Sequence, residues 1–268
     1  MSKNNVSYKT IILEKEDGVA TITLNRPASF NALDFEMGKE LVDAIEKCTK
    51  NVEIKVLIIT GAGKAFCAGG DLKAVKEWPS DNLGDFFRQL TKFLDRVILD
   101  IRMMPKPVIA SVNGPAAGAG FSLALACDLR IVSDKAIFRQ AFTSVALVPD
   151  CGWTFHLPKL VGLGKASELI FLDKVITAKE GEKLGLVNQV VPEAKLKEVT
   201  LEVAKRLARG PSLAFARAKA LLNRALTSSL ESQLENERRE IALSGETEDF
   251  RQALSAFFEK RKPKFQGK

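Results

Sequence analysis

Apolar residues cluster in two short runs near the start of the chain, residues 10–14 and 19–24, on either side of Asp17-Gly18. That spacing predicts a β-hairpin closed by a tight turn and ended by Asn25-Arg26-Pro27. Over residues 33–49 the period changes, and Leu33, Met37, Leu41, Val42 and Ile45 share one face of a helix. Residues 56–60 (VLIIT) and 108–112 (VIASV) are apolar runs of strand length, the pattern of strands buried on both faces. Between them, residues 84–104 carry a helical stripe through Phe86, Leu90, Leu94, Val97, Ile98 and Ile101, stopped by Pro105 and Pro107. A helix of small residues is expected over 118–127, followed by short strands at 129–132 and 136–138. From about residue 158 the chain reads as largely helical, with an extended piece at 185–191 and helices at 194–209, 211–226, 229–243 and 246–260. The order of strands and helices is that of an α/β protein with helical crossovers.

Composition narrows the function more than the fold. The chain has 268 residues, 46% of them apolar, which suffices for one large domain or a domain with an appendage. Charged residues make up 27% with both signs interspersed, which is not a disordered composition. No apolar run reaches membrane-spanning length. The start, MSKNNVSYKT, has no apolar segment, so no secretory signal is expected and a cytoplasmic location follows. Cys48, Cys67, Cys127 and Cys151 are scattered, and His156 is the sole histidine. That set argues against a metal site and against a Ser-His-Asp or Cys-His nucleophile. The net charge of +7 suits a solvated surface, a nucleic acid or a polyanionic small ligand such as a nucleotide or coenzyme A. The basic residues thicken only at Lys260-Arg-Lys-Pro-Lys264, which fits a local phosphate contact better than a long groove.

Two loops carry candidate chemistry. Gly63-Lys-Ala-Phe-Cys-Ala-Gly-Gly-Asp-Leu72 follows a buried strand and precedes a helix that Asp71 is placed to cap. Asn113-Gly-Pro-Ala-Ala-Gly-Ala-Gly-Phe-Ser122 also follows a strand and opens a helix. Small residues let backbone N–H groups approach a ligand, and a helix start leaves such donors unpaired. A pair of them aimed at one oxygen would stabilise charge developing on a carbonyl. Gly118-Ala-Gly120 is not the dinucleotide fingerprint, because Phe121-Ser122-Leu123 follows it. A third stretch, "SVALVPDCGW", places Asp150 in apolar surroundings. Pro-Asp-x-Gly is good turn chemistry, and a buried carboxylate is also costly unless it is paired or used.

"LNRPASFNAL" (24–33), "GKAFCAGGDL" (63–72), "SVNGPAAGAG" (111–120), "ACDLRI" (126–131) and "VALVPDCGWTFHLPKLVG" (145–162) together resemble the crotonase, or enoyl-CoA hydratase/isomerase, superfamily, in its order, from about residue 8 to the C-terminus. The resemblance implies a crotonase-like spiral of ββα units over residues 1–200 and a helical C-terminal trimerisation layer over 201–268. It implies a homotrimer or dimer of trimers, no permanently bound cofactor and a coenzyme A thioester as substrate. The thioester carbonyl would be held by the N–H groups of Gly70 and Ala119, where relatives usually carry glycine at the second position. The coenzyme would lie near Arg26, Ala28, Lys64, Phe66, Ala68, Gly69, Asp71, Leu72 and Gly118, with Phe142 shaping the acyl pocket. Phe257, Lys260 and Lys264 would help hold its phosphates.

Hydratases of the superfamily use two glutamates; at the matching positions this chain has Ser122 and Phe142, so both glutamates are missing. Asp150 falls where several isomerases and dehalogenases of the superfamily carry an aspartate, and "LVPDCGWT" looks most like the isomerase branch related to phenylacetate catabolism. The resemblance therefore implies a one-base double-bond shift by Asp150. Alternatives are hydration, aspartate-dependent hydrolysis or dehalogenation with His156 activating water, and, in a different class, RNA binding on the same scaffold.

Overall fold

The computed structural model describes residues 8–268; residues 1–7, part of the polar start on which the expectation of no secretory signal rests, lie outside it. Strands β1 (Ile11–Glu16) and β2 (Val19–Leu24) form the expected hairpin. Asp17 and Gly18 both take positive φ, +49° and +79°, as a two-residue turn matched to strand twist requires. Helix α1 (Phe35–Lys50) is capped by Asp34, whose carboxylate accepts from the Met37 N–H, and buries Met37, Leu41, Ala44, Ile45 and Cys48. Strand β3 (Val56–Gly61) leads through α2 (Leu72–Glu77) to the long α3 (Leu83–Met103). Then come β4 (Val108–Val112), β5 (Ala116–Ala117), α4 (Ala119–Ala126), β6 (Leu129–Ser133) and β7 (Ile137–Arg139).

The order continues with α5 (Trp153–Val161), α6 (Leu163–Leu172), β8 (Ile176–Thr177), α7 (Ala178–Lys183) and β9 (Gln189–Val191). Helices α8 (Leu196–Ala208), α9 (Ser212–Ala225), α10 (Leu230–Gly245) and α11 (Glu248–Phe258) complete the chain. The main sheet runs β1-β2-β3-β4-β6-β9, parallel apart from the hairpin, and a small second sheet runs β5-β7-β8. The two-residue strands β5 and β8 are too short to show a period in sequence. Helix α5 starts at Trp153, earlier than expected, because the Asp150 turn feeds straight into it.

The apolar runs are buried on both faces, as their continuity predicts. Ala20, Ile22, Leu24, Leu57, Ile59, Ala110 and Val112 meet α1, α3 and α4 on one side. Val19, Val56, Ile58, Ile109 and Ile131 meet Leu196 and Ala204 of α8 on the other. Full burial of each large aliphatic side chain stabilises the fold by about 1.5–3 kcal/mol. Residue 200, where the sequence divides core from layer, lies inside α8. The last three helices behave differently. Helix α9 docks through Lys219, whose ammonium donates to the carbonyls of Ile101 (2.8 Å) and Lys106 (3.1 Å) and pairs with Asp128 (2.7 Å). Leu222, Leu230, Ile241, Phe257 and Phe258 point outward.

Candidate active site

The first loop is held by two asparagines. Asn31, fully buried, donates from Nδ2 to the carbonyls of Ala62 (2.9 Å), Ala65 (2.8 Å) and Phe66 (3.2 Å), while its Oδ1 accepts from the Arg26 N–H (2.9 Å). Asn113 donates to the Gly63 and Ala65 carbonyls and accepts from the Gly61 N–H. Each amide satisfies loop carbonyls that would otherwise be buried without a partner. The second loop is sewn to the first: Cys67 N–H donates to the Pro115 carbonyl (3.2 Å) and Ala117 N–H to the Cys67 carbonyl (2.9 Å). A Cβ at Gly120 would fall 2.3 Å from the Cys67 carbonyl oxygen, so only glycine permits this approach.

This stitching aims two donors. The chain bridges Leu33 to Gly70 in parallel, through Leu33 N–H to the Gly69 carbonyl (2.7 Å) and Asp71 N–H to the Leu33 carbonyl (2.9 Å). A parallel bridge uses the groups flanking its central residue, so the N–H of Gly70 points the other way. The space beside Gly70 is open: nothing lies within 4 Å of where a side chain would begin. Ala119 is the first residue of α4, where backbone N–H groups have no intrahelical acceptor. A Cβ on the neighbouring Gly69 would lie 3.3 Å from the Ala119 nitrogen, which places the two loops in contact at the donors. Among the described residues neither N–H has an acceptor.

Asp150 stands beside them. Its backbone carbonyl accepts from the Trp153 N–H (3.0 Å), with Cys151 and Gly152 both at positive φ, so the turn expected from Pro-Asp-x-Gly is present. That turn uses the carbonyl. The carboxylate oxygen Oδ1 is buried without a hydrogen-bond partner. Burial raises the carboxyl above the usual carboxylate range, against a smaller lowering by a hydrogen bond with the Cys151 thiol. The same Asp150 carbonyl accepts from the Ser122 hydroxyl (3.0 Å), on the second turn of α4. Phe142, nearly buried, lays its ring edge 3.8 Å from where a Gly118 side chain would start.

A small apolar recess lies behind Ala119, lined by Leu33, Leu94, Val97, Ile98, Leu123 and Cys151. It brings α3 and the Asp150 turn against the donor loop. A larger groove of about 620 Å³ lies on the other face of the sheet, between β1–β4 and α8, and contains none of the expected site residues. The free Gly70 and Ala119 donors and the raised Asp150 carboxyl lie away from that groove.

The remaining expected residues divide. Ala28, and Lys64, Ala68, Gly70 and Leu72 of the first loop, are exposed. Phe66 was expected to meet the coenzyme, but its side chain is fully buried in the core and leaves only backbone for a ligand. Arg26 and Asp71 were likewise expected there. The Arg26 guanidinium is instead spent on Asp71 (2.8 Å), Asp34 (3.2 Å) and the Ala32 carbonyl, and Asp71 also caps α2 through Lys73. Phe257 lies in the last turn of α11 with its ring exposed and Lys260 follows the helix, and no hydrogen bond or ion pair among the described residues joins them to the loops. Sequence reasoning overlooked Asn31 and Asn113; both lie in the quoted motifs, and a buried asparagine beside a glycine-rich loop is the signal that would have found them. The thiols are buried and inert, Cys67 pushed up to about 12, and burial pushes His156 down to about 4. No metal-binding cluster and no helix long and apolar enough to cross a membrane occurs among the described residues.

Residues 14–268 match the family described as Enoyl-CoA hydratase/isomerase. The chain is 37% identical to the 1,2-epoxyphenylacetyl-CoA isomerase of Escherichia coli (strain K12), over 96% of this chain and 98% of that one. It is 36% identical to the short-chain-enoyl-CoA hydratase of Clostridium acetobutylicum, over 96% and 97%. The crystal structure of an enoyl-CoA hydratase from Bacillus anthracis superposes with a TM-score of 0.92 at 34% identity, covering 97% of this chain and 100% of that one.

Proposed function

The chain belongs to the enoyl-CoA hydratase/isomerase family and has its crotonase fold, and we propose that within the family it is an enoyl-CoA isomerase with Asp150 as its single acid/base. The observation that carries this reading is the carboxyl of half-buried Asp150, whose Oδ1 is buried without a hydrogen-bond partner and which is raised above its ordinary range. The two positions that would have to activate and deliver water are otherwise engaged. Ser122 donates to the Asp150 carbonyl and Phe142 packs over Gly118.

In the proposed reaction the thioester oxygen of a 3-enoyl-CoA accepts hydrogen bonds from Gly70 and Ala119. The Asp150 carboxylate takes a proton from C2. The electron pair moves into the carbonyl, and the two donors hold the resulting dienolate. Each such donor contributes about 3–4 kcal/mol to lowering a barrier of this kind. Asp150, now neutral, gives its proton to C4, which leaves a 2-enoyl-CoA and restores the carboxylate. A carboxyl raised by burial suits both halves of that cycle. The coenzyme would lie across Ala28, Lys64 and Ala68, and the outward apolar row of α9–α11 would pack on neighbouring copies in a trimer. No resident cofactor or metal takes part in the proposed chemistry.

The test is turnover of matched 3-enoyl-CoA and 2-enoyl-CoA substrates by the wild type and Asp150→Asn, read by thioester absorbance and product mass. A double-bond shift without mass change, lost in Asp150→Asn, is the expected result. Gain of one water by the wild type would make the protein a hydratase and overturn the reading of Ser122 and Phe142.

A further inference from the structure

The recess behind Ala119 is bounded by neighbours of every group that the proposed reaction uses. Ala119 carries one donor, Leu33 is bridged to Gly70, which carries the other, and Cys151 follows Asp150 in the chain. The opposite wall is helix α3, through Leu94, Val97 and Ile98. These side chains are buried, and none presents a charge or a hydroxyl. The space they leave is about 10 Å³. That is room for about one water-sized group, and apolar walls give a water no partners, so the fitting occupant is a methyl or methylene group.

The α3 wall has little freedom to retreat. Ile98 Cγ2 lies 3.6 Å from where a side chain on Gly152 would begin, which sets α3 against the Asp150 turn. Behind it α3 rests on α1: a Cβ on Gly38 would fall 3.0 Å from Phe93 Cβ and 3.8 Å from Leu94 Cδ2. A close-packed interior of this kind yields poorly to an added methylene. An apolar cavity that takes a benzene ring measures about 150 Å³, an order of magnitude more than the recess offers.

We infer that the recess receives the end of the acyl chain and that Leu94 and Ile98 set its length, which makes the substrate a short, unbranched aliphatic thioester of about four to six carbons. This rests on the carbonyl placement proposed above and adds to it the substrate class and the residues that choose it. With the thioester oxygen at Gly70 and Ala119 and C2 to C4 beside Asp150, the carbons beyond C4 leave between Ala119 and the Asp150 turn. The recess lies there, and α3 ends it. An aromatic ring or a long chain meets Leu94 and Ile98 before its carbonyl can reach the donors.

The experiment is calorimetric titration of the full-length protein with coenzyme A and with acetyl-, butyryl-, hexanoyl-, octanoyl- and phenylacetyl-CoA. It is run on the wild type, Ile98→Ala, Ile98→Val and Leu94→Phe. Saturated thioesters have no double bond to move, so the series reads the pocket without the acid/base. Wild-type affinity should rise by about fourfold per methylene up to the limit of the recess. It should then fall by about tenfold or more at octanoyl- and phenylacetyl-CoA, the scale of overpacking a filled site. Ile98→Ala should move the optimum toward octanoyl-CoA and Leu94→Phe toward acetyl-CoA, with affinity for coenzyme A itself unchanged. Ile98→Val gives the same shift in a smaller step should the larger truncation fail to fold. Wild-type affinity that keeps rising through octanoyl-CoA, or a length profile that ignores positions 94 and 98, would overturn the inference alone. Acyl-CoAs that all bind like coenzyme A would overturn it together with the carbonyl placement. A double-bond shift that survives in Asp150→Asn would overturn only the acid/base reading, because the length profile is measured on thioesters that do not react.

Discussion

The hydroxyl of Ser122 donates to the backbone carbonyl of Asp150 across 3.0 Å, joining the helix that carries the Ala119 donor to the turn that carries the carboxylate. In the proposed reaction this bond would fix Asp150 relative to the carbonyl site without using either group's own chemistry. Ser122→Ala should therefore lower stability by about 1 kcal/mol, the typical net worth of one hydrogen bond. It should lower kcat by more than it raises KM, because misplacement of a reacting group costs rate. Urea denaturation beside steady-state kinetics checks this, and an Ala variant with wild-type kcat would remove Ser122 from the positioning of Asp150.

Asp150 also makes a prediction about stability alone. Its carboxyl is raised in the folded protein, so the folded state holds the proton more tightly than the unfolded chain does. Its contribution favours folding in acid and is lost as pH rises through the folded value. Asp150→Asn removes the charge that disfavours folding at neutral pH. The variant should be the more stable protein at pH 7.5, and the gap should close below about pH 4, where the ordinary aspartate range ends. Thermal midpoints at the two pH values decide the matter; a variant less stable at neutral pH would show that the carboxylate has a partner.

The donor loops should resist even a methyl group. Gly69 has φ +94°, and a Cβ there would fall 2.9 Å from the Ala117 carbonyl oxygen. Gly69→Ala should cost about 1–3 kcal/mol in backbone strain alone, with further loss from the contact. Because relief requires the two loops to part, kcat should fall by about 10²-fold or more, the scale of losing one such donor. Folding and activity are read on the same sample, and a stable Gly69→Ala with unchanged kcat would mean that the loops are not the carbonyl site.

Much of this architecture was legible in the residues. Asp17-Gly18 announced its turn, the Leu94–Ile101 stripe its helix, and VLIIT and VIASV their two-sided burial. The glycine-rich loops were legible as strand-to-helix connections, with Asp71 capping the helix that follows the first. What was not legible arises between distant positions. Nothing near Arg26 in sequence shows that its guanidinium turns inward to Asp71, 45 residues away. Ser122 looks like a helix-bonding serine until the 150 turn arrives above it. Strands of two residues leave no period to detect.

The asparagine clamps have a consequence for how such a protein can change. Asn31 and Asn113 hold the carbonyl-binding loop by its own backbone, with no contribution from residues 122, 142 or 150. Any thioester enolate meets donors that were oriented during folding. The acid/base positions attach to that frame through the Ser122 bridge and the packing of Phe142 over Gly118. Under the proposed reaction, substitution at those few sites would alter what happens to the proton while the grip on the oxygen persists. The scaffold is in that sense modular, with the loops that present Gly70 and Ala119 held apart from positions 122, 142 and 150.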